Sequence, residues 1–463
     1  MVLEKIRQSV WQQEEMPRHN PLRGDTQADA VIVGGGMCGL LCAYFLYRKG
    51  VENIILIDAG ELCGGVTAGT TAKITSQHGL LYHKLLKGLG LEGAQKVLAA
   101  NQNAIQHFGE IIRRERIDCG FTPCNSWVYT TDEQNLPSME EEVSAVQKLG
   151  MDAAFDRKTE LPFDILGAVR FPHQASFHPL KFALHISEIL TGAGCKIYTH
   201  TKATAAKAGI VYTEKGNIRC KHIISASHYP FIDKHSLLFT QIYQSRSYLS
   251  LLQGAGTLKD MYVDCEDGGL TFRGWDGMIL FGGYDHKTGQ DRKEDHYQGL
   301  EKEARRLYPT ANVQYMWSAQ DCMTHDRIPY IGRYNSAGEN IYIATGFNKW
   351  GMTASMAAAE IIADLITTGR SAAEDAFSLG RGDIGLQAGS FFKNAAGIAG
   401  GFLSHMLPPV KPVCTHMGCA VEWNGEEETW DCSCHGSRFD AEGSVISGPA
   451  QKPLERLREI EPS

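Results

Sequence analysis

Apolar residues in the first part of the chain form two short runs with a segment of different spacing between them. The runs cover residues 29–33 and 53–57, and apolar positions recur every three to four residues over 40–49. Short apolar runs are typical of strands buried in a parallel sheet, and the spacing between them is typical of a helix. The order predicts a strand–helix–strand unit.

Similar patterns recur later in the chain and predict an α/β fold class. The expected strands are 194–198, 209–213, 220–225 and 341–345, and the expected helices are 179–190 and 353–366.

The turn inside the first unit reads Gly-Gly-Gly-Met-Cys-Gly over residues 34–39. In such a G-x-G-x-x-G turn, Gly34 permits the tight bend, Gly36 lets a pyrophosphate approach, and Gly39 lets the helix pack closely on the strand. Asp58 follows the second strand, where a carboxylate accepts hydrogen bonds from ribose hydroxyls. This context predicts a dinucleotide-binding site.

Composition narrows the class of protein. The 463 residues are 43% hydrophobic and 21% charged, which is typical of a globular protein, and the net charge of −8 gives no basic footprint for nucleic acid. Neither a secretory signal nor an apolar run long enough for a membrane span is expected, because polar residues interrupt 391–407. That segment is expected to be a surface or linker helix, and the expected compartment is the cytoplasm.

Cysteine and acidic charge are concentrated near the C-terminus. Residues 414–463 hold four of the 13 cysteines and a net charge of −6. The spacing is Cys414-x-His416, fifteen residues, then Cys432-x-x-His435. Two thiolates and two imidazoles suit either one tetrahedral zinc or a Rieske [2Fe–2S] centre.

The residues around these boxes make the segment resemble the Rieske proteins of quinol-oxidising complexes. Cys419 and Cys434 occupy equivalent positions after each box, and residues 448–450 resemble the third loop that covers the cluster. The resemblance implies that Cys414 and Cys432 bind one iron and that His416 and His435 bind the other. It also implies a disulfide between Cys419 and Cys434.

Two loops at the ends of the preceding domain, residues 63–73 and 346–353, carry a second resemblance. With the glycine turn, Asp58 and residues 326–332, they resemble the D-amino acid oxidase-like flavoproteins, which include glycine and sarcosine oxidases. The resemblance implies bound FAD, an α/β Rossmann-type FAD lobe and an inserted mixed-sheet substrate lobe. The additional FAD-binding residues that it implies are Thr71, Ala72, Lys73, Gly346, Phe347, Gly351, Met352 and Thr353.

The implied oxidoreductase domain covers residues 26–380. Its FAD lobe comprises about 26–100, 171–234 and 321–380, and its substrate lobe about 101–170 and 235–320. Residues 381–413 are expected to be a helical, Pro-rich linker and 414–463 a Rieske domain. That domain is too short for the usual β-rich base, so we expect it either to pack against the flavin domain or to load its cluster incompletely.

The combination resembles a bacterial family of D-amino acid oxidase-like flavoproteins with a C-terminal Rieske domain. Only one dinucleotide fingerprint is present, so a small organic substrate, rather than NAD(P)H, is expected to supply the electrons. The expected activity is oxidation of an amine or amino acid C–N bond, with electrons leaving through the cluster to an external acceptor. A basic surface on that acceptor would complement the acidic C-terminal segment. The alternatives are a flavin hydroxylase fed through the cluster and a non-enzymatic redox sensor.

Three residues are candidates for catalysis, and each has a structural alternative. His78 is a candidate flavin contact or base, or else a hydrogen-bonded core histidine. Lys349 is a candidate for stabilising reduced flavin or a substrate carboxylate, or else a surface lysine. Arg246 is a candidate carboxylate clamp, or else a structural arginine.

Overall fold

The computed structural model describes residues 7–232, 238–290, 295–334, 340–381 and 412–455. The helix predicted within 391–407 and nearly all of the predicted linker lie outside these residues. The described elements form three sheets with helices packed around the first two.

The helices and strands follow the chain in an alternating order at first and then become mostly β. The helices are α1 (Met37–Arg48), α2 (Val66–Gly69), α3 (Tyr82–Glu115), α4 (Leu136–Lys148), α5 (Pro179–Gly192), α6 (Leu238–Gln241), α7 (His296–Leu307), α8 (Gly351–Thr368) and α9 (Glu374–Phe377). The strands are β1 (Thr26–Val33), β2 (Ile54–Ile57), β3 (Lys73–Ile74), β4 (Thr122–Thr130), β5 (Ala154–Asp156), β6 (Gly167–Ser176), β7 (Lys196–Tyr198), β8 (Ala203–Lys207), β9 (Ile210–Thr213), β10 (Gly216–Ser225), β11 (Ile242–Gln253), β12 (Met261–Asp264), β13 (Thr271–Trp275), β14 (Met278–Lys287), β15 (Asn312–Thr324), β16 (Tyr330–Arg333), β17 (Ile341–Thr345), β18 (Val421–Asn424), β19 (Thr429–Cys432), β20 (Arg438–Phe439) and β21 (Val445–Ser447).

Sheet 1 has the order β16-β17-β10-β1-β2-β7, with β8 and β9 attached through β10. The strands β17, β10, β1, β2 and β7 are parallel. The end of β1 is buried on both faces: Ala30 and Ile32 belong to the apolar cluster that contains residues of α1, α5 and α8, and Val31 and Val33 belong to a second cluster that includes residues of α6 and β11. The parallel order brings the carboxyl ends of β1, β2 and β10 to one edge, which is where a crossover sheet binds its ligand.

Sheet 2 is a nine-stranded mixed sheet with the order β15-β11-β14-β13-β12-β4-β6-β3, with β5 attached to β6. Its strands come mainly from the segments predicted for the substrate lobe. The longest pairing joins β11 to β15 along the whole of β11. Some side chains of these two strands face the space next to sheet 1, and others contact the C-terminal domain.

Sheet 3, made of β18 to β21, is a small antiparallel sheet in the C-terminal domain. Its core holds the four clustered cysteines and a few large side chains, among them Trp430 and Phe439. So small a core contributes little stability by itself, and the domain packs against β11, β14 and α7 of the preceding domain. In the part of the chain that the structure describes, we find no helix with the length and apolar character to cross a membrane.

Candidate functional site

A cavity of about 930 Å³ lies between the carboxyl edge of sheet 1 and the face of sheet 2. The glycine turn and Asp58 line one end, and side chains from β11, β13, β14 and β15 line the other. Its volume is near the upper end of the range for small-molecule and cofactor sites. A lining that extends from sheet 1 to sheet 2 suits a dinucleotide.

The glycine turn has the backbone geometry that its spacing predicted. Gly34 has φ +115°, and a Cβ on Gly39 would lie 1.8 Å from the Gly34 carbonyl oxygen, so no other residue fits where α1 crosses β1. The amide of Met37 donates to the Thr67 hydroxyl at 3.0 Å. The N-terminus of α1 thus faces the cavity, where it favours a pyrophosphate charge.

Asp58 fixes this turn as well as facing the cavity. Its two carboxylate oxygens accept hydrogen bonds from the amides of Gly35 at 2.6 Å and Gly60 at 2.7 Å. Burial raises the pKa of Asp58, and the two amides act against that shift. A carboxylate has lone pairs beyond these two bonds, so it can also accept from ribose hydroxyls.

Eight of the twelve residues that the sequence assigned to FAD line the cavity. They are Gly34, Gly36, Asp58, Thr71, Lys73, Phe347, Gly351 and Met352. The other four, Gly39, Ala72, Gly346 and Thr353, lie behind the lining and shape it. The carbonyl of Ala72, for example, accepts from the buried Arg273 at 2.6 Å, which fixes the loop before β3.

Lys73 is the buried cation of the cavity. Its side chain is 7% exposed and donates to the Thr271 hydroxyl. Burial, and then the charge of Arg273, lower the pKa of Lys73 to about 7. A lysine in this state exchanges a proton near neutral pH, unlike an ordinary surface lysine.

The loop between β17 and α8 contributes a second lysine. Lys349 lines the cavity and forms an ion pair with Asp285 of β14 at 2.5 Å. Asp321 of β15 also lines the cavity, and burial raises its pKa to about 6 while the charge of Lys349 opposes the shift. Lys349 therefore joins sheet 2 to the loop, with its side chain 24% exposed.

His78 lies behind the cavity and outside its lining among the described residues. Its Nε2 is 2.9 Å from the Thr75 carbonyl oxygen and 3.1 Å from the Thr353 hydroxyl, and its ring stacks on Trp350 with centroids 4.9 Å apart. Burial lowers the pKa of His78 to about 3, so the ring is neutral. His78 thus stacks on Trp350, which does line the cavity, and its role as a base or flavin contact stays a prediction.

The two Cys/His boxes fold into loops with the same hydrogen bonds. The Cys414 amide donates to the Cys419 carbonyl at 2.8 Å and the Gly418 amide to the Cys414 carbonyl at 2.9 Å. In the second loop, Cys432 and Gly436 repeat this pattern at 2.8 and 2.9 Å. Gly418 and Gly436 both have positive φ, at +83° and +77°, so the two loops turn alike around a common centre.

The side chains of the boxes converge on that centre. A disulfide joins Cys419 to Cys434, while Cys414 and Cys432 are free thiols. The rings of His416 and His435 are perpendicular, with centroids 5.0 Å apart. Two free thiols and two imidazoles on matched loops, with the second cysteine pair tied together, form the donor set that a [2Fe–2S] centre of the Rieske type takes.

The two histidines face the preceding domain. The ring of Phe239 lies edge-on to both, and the ring of Tyr229 lies edge-on to His416 with centroids 6.3 Å apart. The side chain of Gln320 donates to the Gly436 carbonyl at 2.9 Å, and Gln244 donates to the same loop. The cluster loops are thus held against β11 and β15.

Arg246 lies in this domain interface, and its role as a substrate clamp stays a prediction. It is fully buried, donates to Ser318 at 2.6 Å and forms an ion pair with Glu427 of the C-terminal domain. Burial alone would raise the pKa of Glu427, but the charges of Arg246 and Arg438 lower it to about 2. Arg246 thus binds a carboxylate of this chain. The described residues that line the cavity do not include it.

Several residues of the site escaped the sequence reasoning. They are Asp285, Tyr229, His228 and the C-terminal residues Val445, Ile446, Ser447, Gly448, Ala450 and Gln451, all of which line the cavity. Apart from Gly448 and Ala450, which belong to the loop expected to cover the cluster, none stands in a motif of its own. Only the position of Tyr229, four residues past the end of a strand at the ligand-binding edge, offered a signal.

The cavity also passes a test of fit for a polar ligand. Within the described residues, His228 Nε2 and Ser447 Oγ are buried without a hydrogen-bond partner. Burial lowers the pKa of His228 to about 4, so its ring is neutral. Buried polar atoms are normally satisfied, and both residues line the cavity, so a ligand with polar groups would complete them.

Comparison with family models identifies two regions. The model for FAD dependent oxidoreductases matches residues 29–365, and the model for the Rieske [2Fe-2S] domain matches residues 404–458. The first covers sheets 1 and 2, and the second covers sheet 3 and both Cys/His boxes.

Individual relatives agree with this division. The chain is 33% identical to the Rieske 2Fe-2S iron-sulfur protein YhfW of Bacillus subtilis (strain 168), over 96% of each chain. Among solved structures, L-proline dehydrogenase from P. horikoshii has a TM-score of 0.65 at 17% identity, covering 78% of this chain and 98% of its own. Glycine oxidase from Geobacillus kaustophilus has a TM-score of 0.66 at 16% identity, covering 77% and 99%. These two likenesses establish the shared fold.

Proposed function

Since the chain belongs to the FAD-dependent oxidoreductase family and carries a Rieske [2Fe–2S] domain, we propose that it oxidises a C–N bond of a small amine or amino acid. The electrons then pass through the cluster to an external acceptor. FAD, when bound, accepts a hydride from the substrate, whereas a [2Fe–2S] cluster accepts one electron at a time. The fusion thus divides a two-electron oxidation into single-electron exits.

The observation that carries this proposal is the position of Tyr229. It lines the cavity, and its ring contacts the ring of His416. The side chain of Tyr229 therefore bridges the cavity and an implied iron ligand. Together with the residues that cradle FAD, this contact supports electron transfer within one chain.

Residues at the sheet 2 end of the cavity supply the acid–base chemistry. A C–N bond is oxidised from the neutral amine, so a substrate ammonium must first lose a proton. Lys73 Nζ, with its pKa of about 7, is the group suited to accept that proton. Trp350, whose ring stacks on His78, lines the same cavity as Lys73 and helps to exclude water from it.

The substrate class rests on the fold and on the charges of the cavity. The two solved relatives are named as enzymes that act on proline and glycine. In this chain, Asp321 and the Asp285–Lys349 pair present polar groups to the same end as Lys73. These groups suit a small substrate with an amino group.

The acceptor is proposed to meet the outer face of the C-terminal domain. Glu426, Glu427 and Asp431 of the acidic segment are engaged inside the protein by His296, Arg246 and Arg438. The remaining acidity on the outside includes the exposed Glu428, Glu442 and Glu455. A partner with a basic surface would complement them.

An anaerobic titration of the purified protein with a panel of amines and amino acids tests the function. The expected result is bleaching of the flavin absorbance together with a Rieske-type EPR signal from the reduced cluster. In the same panel repeated in air, consumption of O₂ in step with an oxygenated product would instead assign a hydroxylase. An unchanged flavin with every substrate, combined with a cluster that responds to oxidants, would assign a redox sensor.

The pH dependence of flavin reduction tests the role of Lys73. The rate constant is expected to rise as pH passes through about 7, because Lys73 loses its proton there and becomes able to accept one. Lys73→Met is expected to lower the rate by about 100-fold and to abolish that rise. Stopped-flow absorbance measures both, and Lys87→Met, at an exposed site, serves as the control. A rise that survives in Lys73→Met would assign the proton transfer elsewhere.

Tyr229 is expected to control the second step. Tyr229→Leu removes the ring that contacts His416, so cluster reduction is expected to slow while flavin bleaching keeps its rate. Tyr229→Phe keeps the ring and is expected to behave like the wild type. Freeze-quench EPR, timed against flavin absorbance, separates the two steps. Equal cluster reduction in the Leu and Phe variants would contradict a path across this residue.

A further inference from the structure

The C-terminal domain forms part of the wall of the cavity. Val445, Ile446 and Ser447 of β21, together with Gly448, Ala450 and Gln451, line the same cavity as the glycine turn of sheet 1. These residues follow the two cluster boxes in sequence. The cavity that begins at the glycine turn of the first domain is therefore closed by a second domain.

The part of the cavity that they close is the end near Asp58. The segment after β7 lies beside this carboxylate's strand, since the Thr201 amide donates to the Asp58 carbonyl at 2.7 Å and the His200 amide to the Gly60 carbonyl at 3.1 Å. Lys202 of this segment donates to the Gln451 carbonyl at 2.6 Å. Asp58 is placed to bind a ribose, so Gln451 sits at the adenosine end of the site.

Two side chains of β21 have the features of ligand contacts. Ile446 lines the cavity, yet its side chain is 49% exposed. Covering this apolar surface with an apolar partner would lower the free energy of the complex. The face of an adenine ring is such a partner. Ser447 Oγ, as noted, is buried and lacks a hydrogen-bond partner among the described residues.

We propose that the C-terminal domain completes the FAD site by covering the adenosine half of the cofactor with residues 445–451. The apolar contact comes from Ile446 and a polar contact from Ser447, while the Lys202–Gln451 bond holds the segment in place. This arrangement goes beyond electron transfer, because it links the presence of the iron domain to the retention of the flavin.

The link works in both directions. If the folded C-terminal domain strengthens FAD binding by some factor, bound FAD stabilises the docked C-terminal domain by the same factor. Apoprotein without FAD is therefore expected to dock this domain more weakly.

FAD affinity of the full-length protein tests the proposal, with intrinsic flavin fluorescence as the readout. Ile446→Glu puts a charge against the adenine face and is expected to raise the Kd for FAD by about tenfold or more. Ser447→Ala is expected to raise it by a smaller factor. Glu442→Ala, an exposed position of the same domain outside the cavity lining, is the matched control and is expected to bind FAD like the wild type.

A competition with ADP locates the contact. Since ADP carries only the adenosine half, its Kd is expected to rise by the same factor as that of FAD in each variant. An unchanged FAD Kd in both variants, with the cluster EPR signal intact, would overturn the proposal. If Ile446→Glu loses its cluster signal through misfolding, Ser447→Ala and its ADP competition decide the matter alone. A loss of FAD affinity with unchanged ADP affinity would also overturn it.

Discussion

Cys432→Ala is expected to abolish the Rieske-type EPR signal and to reduce the iron content of the purified protein from two per chain by about tenfold or more, because a [2Fe–2S] centre held by four protein ligands does not survive the loss of a thiolate. The Cys432 thiol is buried at the centre of the paired loops. Metal analysis and EPR measure the result directly.

Cys195→Ala is the matched control for this variant. Cys195 is also buried, but it lies near the end of α5 and far along the chain from both boxes. It is expected to keep iron and signal at wild-type levels. Stoichiometric zinc without iron in the wild-type protein would contradict the ligand assignment, since zinc would take the same four side chains on one centre.

Arg246→Met is expected to destabilise the protein by about 3–5 kcal/mol, because it leaves Glu427 in the interface without one of its two cationic partners. Flavin bleaching is expected to persist while cluster reduction slows, since the cluster loops lose part of their anchor on sheet 2. Urea unfolding, followed through the visible bands of flavin and cluster, measures the stability. Arg305→Met, at an exposed ion pair on α7, is expected to change it by less than about 1 kcal/mol.

A second substitution separates charge from packing. Adding Glu427→Gln to Arg246→Met removes the uncompensated carboxylate and is expected to recover part of the loss. In the wild type, ionised Glu427 contributes to the free energy of unfolding because its pKa is lowered in the folded protein. That contribution is present above the ordinary pKa of a glutamate and is lost as pH falls toward about 2. A single Arg246→Met variant as stable as the wild type would contradict the interface ion pair as a major anchor.

Local motifs made much of the site predictable from sequence. The glycine turn and Asp58 carry their own geometry, because a strand, a turn and a helix adjacent in sequence fix where their ligand lies. The two cluster boxes are of the same kind, since each is a single turn with a glycine at the required position. The elements around them, such as α5, β17 and α8, begin and end within a few residues of the prediction.

The roles of Arg246 and His78 could not be read in this way. Arg246 is one position of β11, and the strand pattern does not show what its side chain binds. Its partner Glu427 lies in a domain about 180 residues later in the chain. His78 follows the flavin loop closely, but its ring turns toward Thr353 and Trp350 across a separation of about 275 residues. Long-range packing, rather than any local pattern, decides both side-chain directions.

The placement of residues 445–451 has a consequence for biosynthesis. The ribosome makes the glycine turn about 400 residues before it makes this segment. A growing chain that has already folded sheets 1 and 2 therefore exposes the adenosine end of its flavin site until the iron domain has been translated and has docked. Tight flavin binding is then expected only in chains whose iron domain has been synthesised. Chains that end before this domain would release their flavin.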